Sequence, residues 1–226
     1  MRALDICALI HASYATHALY VLAKNDVFDA LVRGPVSAPD LASRSGLQQS
    51  PLEQLLQVAV GLGFVRRVAD GYRIEKKALA LTRASRSWLR SYLLLWGEQL
   101  NPAFGYLQNW AVAADDPFFN AHGAKIWDFY RQNRTANERF VEFQDAVTDQ
   151  VHTPLIASRL RVDDARQLVD IAGGKGSLAC AILNRHAQLT GVVFDQQHMR
   201  AAVTERIRLA NLRDRKSTRL NSSHRL

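Results

Sequence analysis

Cysteine is scarce. Only Cys7 and Cys180 occur in 226 residues, which excludes a disulfide framework and a cysteine-built metal site, and makes a reducing, cytoplasmic setting the default expectation. Cys180 is expected to be a small core residue. The histidines show neither HExxH nor Cys/His ligand spacing, so no metal ligand is assigned. His122, beside Gly123 in an aromatic stretch, stands out, with a structural role expected. Sequence order offers no Ser-His-Asp set. No apolar run approaches the ~20 residues of a membrane span. Asp5, His11 and His17 interrupt the apolar N-terminus at helical spacing, which argues against a signal peptide. No membrane partner is expected, and repeats and low-complexity segments are absent.

Charge of one sign is in excess. The 29 Lys and Arg exceed the 21 Asp and Glu by +8, a balance that invites a nucleic-acid reading. Part of it comes from the last residues. DRKSTRLNSSH (214–224) resembles the in-frame translation of a sequencing adapter, so 214–226 is expected to be a non-native tail. Without it, 25 basic residues face 20 acidic ones, a mild excess. At 48% hydrophobic and 22% charged, the composition is that of an ordinary globular chain with a sizeable core.

Apolar residues Leu4, Cys7, Ile10, Tyr14, Ala18, Val21 and Leu22 recur at helical spacing from Ala3 to Ala23. A short helix is expected over Val27–Val32, closed by Gly34-Pro35. Another is expected over Ala38–Arg44, capped by Ser37 and stopped at Gly46. Ser50-Pro51-Leu52-Glu53 reads as a capping box opening a fourth helix. Phe64–Val68 and Tyr72–Ile74 flank Asp70-Gly71, a hairpin signal. Three helices and a hairpin follow the plan of a winged helix. Such domains often bind DNA, but Ser45 to Val65 holds neither Lys nor Arg, so the electrostatic part of DNA affinity is missing there. Arg66, Arg67 and Arg73 on the hairpin remain as basic candidates, so a DNA-binding regulator stays open as an alternative.

From Ser87 to about Leu160 a broken helical connector is expected. One stripe (Trp88, Tyr92, Leu95, Trp96, Leu100) ends at Asn101-Pro102. Asp115-Asp116-Pro117 is a turn, and Thr135 with Glu138 reads as a second capping box. Aromatic residues at this spacing usually form core. Trp96, Trp127 and Phe143 are the candidates for lining a pocket that takes a flat aromatic molecule.

The chemistry concentrates in LVDIAGGKGS (168–177), a buried strand, a glycine turn and a helix start. Such a helix start offers free N–H groups to an anionic group. A second strand, LTGVVF (189–194), ends on Asp195, placed to accept hydrogen bonds from ribose hydroxyls. Two ligands compete for this βαβ unit. Gly174-x-Gly176-x-x-Ala179 fits the dinucleotide fingerprint, which leaves an NAD(P)-dependent oxidoreductase open. Asp170-Ile171-Ala172-Gly173-Gly174-Lys175-Gly176 resembles motif I of the S-adenosylmethionine (SAM) methyltransferases. Asp170 separates the readings: it repels a pyrophosphate and attracts a sulfonium and an ammonium.

Taken in order, VSAPDLASRSGLQQSPLEQLLQVAVGLGFV (36–65), YLLLWGEQLNPAFGYLQNW (92–110), FFNAHGAKIWDF (118–129), VDIAGGKGS (169–177) and GVVFD (191–195) resemble the hydroxyindole/caffeate-type O-methyltransferases. The resemblance spans residues 1–213. It implies a winged-helix dimerisation domain (1–86), a helical connector lining the substrate (87–164) and a truncated α/β Rossmann-like SAM fold (165–213, first βαβα only). It further implies a homodimer through the N-terminal domain, a small aromatic acceptor, no nucleic-acid partner and SAM as cofactor. Gly173, Gly174, Gly176 and Asp195 would contact SAM, and Asp170 would orient its amino-acid end. The histidine base of such enzymes lies beyond the fourth strand, so no catalytic residue is assigned, and SAM binding is expected to be weak or absent. Ala172 departs from the family glycine. If that position needs φ > 0, alanine costs about 1 kcal/mol. Lys175 is expected to be solvated, or to help hold the methionine carboxylate.

Overall fold

Two stretches of α1 (Ala3–Lys24) behave differently. Ala18, Leu22 and Ala23 are buried, whereas Leu9 and Ile10 are 65% and 68% exposed. Contrary to the sequence expectation, Asp5–Lys24 is long and apolar enough to cross a membrane by length and composition, alone among the described residues. Three of its polar side chains bond within the helix: Thr16 donates to the Ala12 carbonyl, and the His11 and His17 rings bond the Cys7 and Ser13 carbonyls. The structure, a computed structural model, describes residues 3–85, 87–212 and 216–221. It divides into two compact units, Met1–Phe140 and Val141–Leu226.

In the first unit α1 is followed by α2 (Val27–Ala30), α3 (Ala38–Ser45), α4 (Gln49–Gly61) and the antiparallel pair β1 (Val65–Val68) and β2 (Gly71–Ile74). Ser37 caps α3 through the Asp40 N–H, and Gly46 closes it at φ 72°, both as expected. Gly71 is obligatory: at φ 127° its missing Cβ would stand 2.3 Å from the Val36 carbonyl oxygen, and Val36 bridges Tyr72 beside the hairpin. Phe28, Leu41, Leu52, Leu56 and Val65 form the core. The Ser50–Glu53 capping box is not formed. The helix starts earlier, at Gln49, where the Gln49 amide reaches Glu53 instead.

The connector is helical, with α5 (Trp88–Leu95), a π-turn (Trp96–Leu100), α6 (Asn101–Phe104), α7 (Leu107–Ala113), α8 (Pro117–His122), α9 (Ile126–Gln132) and α10 (Arg134–Val147). Asn101-Pro102 does not stop the chain. Proline lacks the N–H and crowds the carbonyl four residues earlier, and the widened π-turn absorbs both. Gly97 in that turn has its Cα against the Tyr20 ring, where a Cβ would come within 2.4 Å. Asp116 caps α8 by accepting from the Phe118 and Phe119 N–H groups. Thr135 caps nothing. Asn133 takes that role through the Ala136 N–H, since the helix begins before Thr135.

The second unit continues from α10 through a π-turn (Thr148–His152) and α11 (Thr153–Arg159) to β3 (Gln167–Ile171), α12 (Ser177–Arg185), β4 (Thr190–Gln196), α13 (Arg200–Leu209) and β5 (Lys216–Asn221). The sheet is parallel in the order β3-β4-β5. One expectation is corrected here. The fold goes beyond βαβα, because residues 216–221 of the adapter-like stretch pair with β4, and β4 is therefore central, with no open edge. An unpaired edge is a template that a neighbouring segment can complete through its backbone alone. β3 remains the edge strand, with Ile171 73% exposed.

Candidate functional site

The register sets Asp170 opposite Val193 and Ile171 opposite Phe194, so Asp195 follows at the same carboxyl edge of the sheet. Ligands of open α/β sheets bind at that edge. Asp170 shares its strand face with Leu168, which packs on the core of α12, β4 and α13. Between the strands, the Ala172 N–H donates to the Phe194 carbonyl at 2.8 Å and the Gly176 N–H to the Gly173 carbonyl at 2.7 Å. The turn this makes needs glycine for two different reasons. At Gly173 a Cβ would lie 2.7 Å from the Asp170 carboxyl carbon. At Gly174 and Gly176 the need is conformational, with φ 56° and 75°.

Ala172 also stands at φ 56°. The position the sequence flagged therefore requires the left-handed conformation and carries a Cβ in it.

Asp195 accepts the Gly174 N–H through Oδ2 at 2.7 Å. Asp170, Gly173, Gly174, Gly176 and Asp195 are thus gathered around one turn, ahead of an α12 N-terminus that no side chain caps. The Lys175 side chain is 39% exposed but does not stand free in solvent. Its ammonium is paired with Asp145 on α10. Burial pushes the Asp145 carboxyl above the ordinary range, and Lys175 opposes that shift. Cys180 is buried in the α12 core, as expected.

The three aromatic candidates are placed as follows. Trp96 stands edge-on to His17, with ring centroids 5.2 Å apart. Trp127 lies against Tyr130 and Phe140 and is 65% exposed. Phe143 is half-buried in the second unit. His122 ends α8 and has a structural place: its Nε2 bonds the Gln99 carbonyl at 2.8 Å, between the Phe118 and Phe129 rings. Sequence reasoning missed Asp145 and Gln99. Gln99 is 2% exposed on the π-turn, and a polar residue three positions before a proline gives no sign of such burial.

Residues 7–91 match the family model of the O-methyltransferase dimerisation domain, and residues 104–217 that of the O-methyltransferase domain. The chain belongs to the O-methyltransferase family. Among its curated relatives are a phenazine O-methyltransferase from Lysobacter antibioticus, 24% identical over 93% of this chain and 62% of the relative, and a 3-amino-4-hydroxybenzoate 4-O-methyltransferase from Streptomyces cremeus, 26% identical over 88% and 54%. The chain thus spans between half and two thirds of the length of these O-methyltransferases. The solved structure titled PigF with SAH shares its fold, with a TM-score of 0.85 at 19% identity over 98% of this chain and 67% of the other. Neither the DNA-binding nor the nicotinamide reading gains support. On the hairpin, Arg66 is spent on an ion pair with Glu75 at 3.0 Å.

Proposed function

We propose that the protein is a SAM-dependent O-methyltransferase acting on a hydroxyl of a small aromatic molecule. The observation that carries this reading is the pair of carboxylates, Asp170 and Asp195, at the ends of adjacent parallel strands beside a glycine-rich turn. An acid at the end of β3 disfavours a pyrophosphate and favours a cationic ligand. When bound, SAM supplies an electrophilic methyl group on a sulfonium. Asp195 would accept from the ribose hydroxyls, Asp170 would orient the ammonium, and the open N–H groups of α12 would face the carboxylate. Transfer then depends chiefly on holding two reactants in line.

Residues 1–86 are assigned to a winged-helix dimerisation domain that forms a homodimer, 87–164 to the connector that lines the acceptor, and 165–213 to the start of the SAM fold. The adapter-like residues 214–226 are left outside the assignment. Exposed Leu9, Ile10 and Tyr14 on α1, within the matched dimerisation domain, support the homodimer. The rings of Trp96, Trp127 and Phe143 are the candidates for contact with the acceptor.

Glycine-selective isotope labelling followed by NMR titration tests the reading and registers even weak binding. SAM and S-adenosylhomocysteine (SAH) should shift the Gly173, Gly174 and Gly176 signals, and NAD should leave them in place. Shifts with NAD and none with SAM would overturn the assignment.

A further inference from the structure

Lys175 is the one cation inside the turn between Asp170 and Ser177, and the structure ties it to α10. Asp145 and Asp149 stand one helical turn apart in sequence, and each takes a cation from a different element of the second unit. Lys175 comes from the glycine turn to Asp145, and Arg206 from α13 to Asp149. The Lys175 and Asp145 side chains are 39% and 23% exposed, so the pair is partly withdrawn from the solvent that would otherwise screen it. An ammonium left free in this turn would lie among the atoms that meet a ligand, and would oppose a second positive charge there. Held by a half-buried carboxylate, it becomes half of a neutral pair.

We propose that Asp145 is a specificity-determining positioning residue: by holding the Lys175 ammonium on α10, it leaves Asp170 and Asp195 to set the charge of the turn. The inference rests on the functional reading above and deepens it. Its consequence concerns the two forms of the cofactor, which differ by a methyl group and one positive charge. With Lys175 neutralised, the cationic sulfonium gains relative to the neutral thioether product. With Lys175 released, that gain is lost.

The test is the ratio of dissociation constants, SAH over SAM, measured on the full 226-residue chain by the glycine-labelled titration. Asp145→Asn is nearly isosteric and should lower the ratio about three- to tenfold, the size expected for one partly screened charge at close range. Asp145→Asn combined with Lys175→Met should restore the ratio of the unaltered chain, because the released charge is gone. A purely structural role for Asp145 would weaken both ligands together, leaving the ratio unmoved and the double variant no better than the single one. That pattern overturns the inference alone. Failure of the unaltered chain to bind either form overturns the functional reading, and the inference with it.

Discussion

The Gly174 backbone N–H donates to the Asp195 carboxylate at 2.7 Å, fastening the turn after β3 to the end of β4. One acid thereby shapes the turn that it also serves. Asp195→Asn keeps an acceptor oxygen and removes the charge, so the turn should persist while charge-assisted bonding to ribose hydroxyls is lost. Affinity for SAH should fall by roughly ten- to a hundredfold. The titration reads this directly, and unchanged affinity would remove Asp195 from the site.

Ala172 at φ 56° pays a steric cost in the folded state that glycine avoids. Ala172→Gly should stabilise the second unit by about 0.5–1 kcal/mol, the relief of left-handed strain exceeding the entropy gained by the unfolded chain. Urea unfolding checks the sign.

Neighbouring glycines should differ in their response. Gly174→Ala meets no atom within 4 Å and suffers only its φ of 56°, a cost of about 1 kcal/mol. Gly173→Ala drives a Cβ into the Asp170 carboxylate at 2.7 Å and towards Val193 at 3.0 Å. It should cost about 2 kcal/mol or more and weaken SAH binding as well. Equal costs in urea unfolding would contradict the close contact.

Asp26, ahead of α2, accepts both Arg83 Nε and Nη2 at 2.6 Å and Arg90 at 3.1 Å. The Arg83 hydrogen bonds, followed by the charges of Arg83 and Arg90, hold its carboxyl below the ordinary range. A depressed folded-state value contributes stability above the ordinary carboxylate range, and that stability is lost as pH falls through the lower value. Asp26→Asn tolerates the residue's φ of 56° and should cost about 1 kcal/mol at neutral pH, the exposure of the pair keeping the figure small. It should also flatten the acid limb of a melting-temperature profile.

Tyr130 is pushed up to about 12 by burial, and its hydroxyl has no hydrogen-bond partner among the described residues. A phenol that ionises later in the folded than in the unfolded state loses stability as pH rises from about 10 towards the raised value. Tyr130→Phe should remove that alkaline loss. It should also raise stability near neutrality by about 1 kcal/mol, since an unsatisfied buried hydroxyl disappears. Thermal melts across neutral and alkaline pH test both effects.

Much of the site was legible because it is local. The spacing of Asp170, the glycines and Asp195 follows from a strand, a turn and a helix of ordinary length, and Ala172 departs from the family glycine at a position that stands at φ 56°. The cap at Ser37 and the stop at Gly46 are equally local. The capping boxes at Ser50 and Thr135 misled because the helices started earlier than those residues. At Thr135, Asn133 was the better-placed cap.

By itself the sequence determined the order of helices and hairpin, the bare turn and the two acids at its rim, since periodicity, turn chemistry and capping act over a few residues. Tertiary structure alone decided that Lys175 is paired with Asp145, that β5 completes the edge of β4, that the chain continues through Asn101-Pro102 and that Gln99 is buried. Each of these depends on surfaces supplied by distant parts of the chain. The free energy of such contacts is set by packing and desolvation in three dimensions, which no local spacing records.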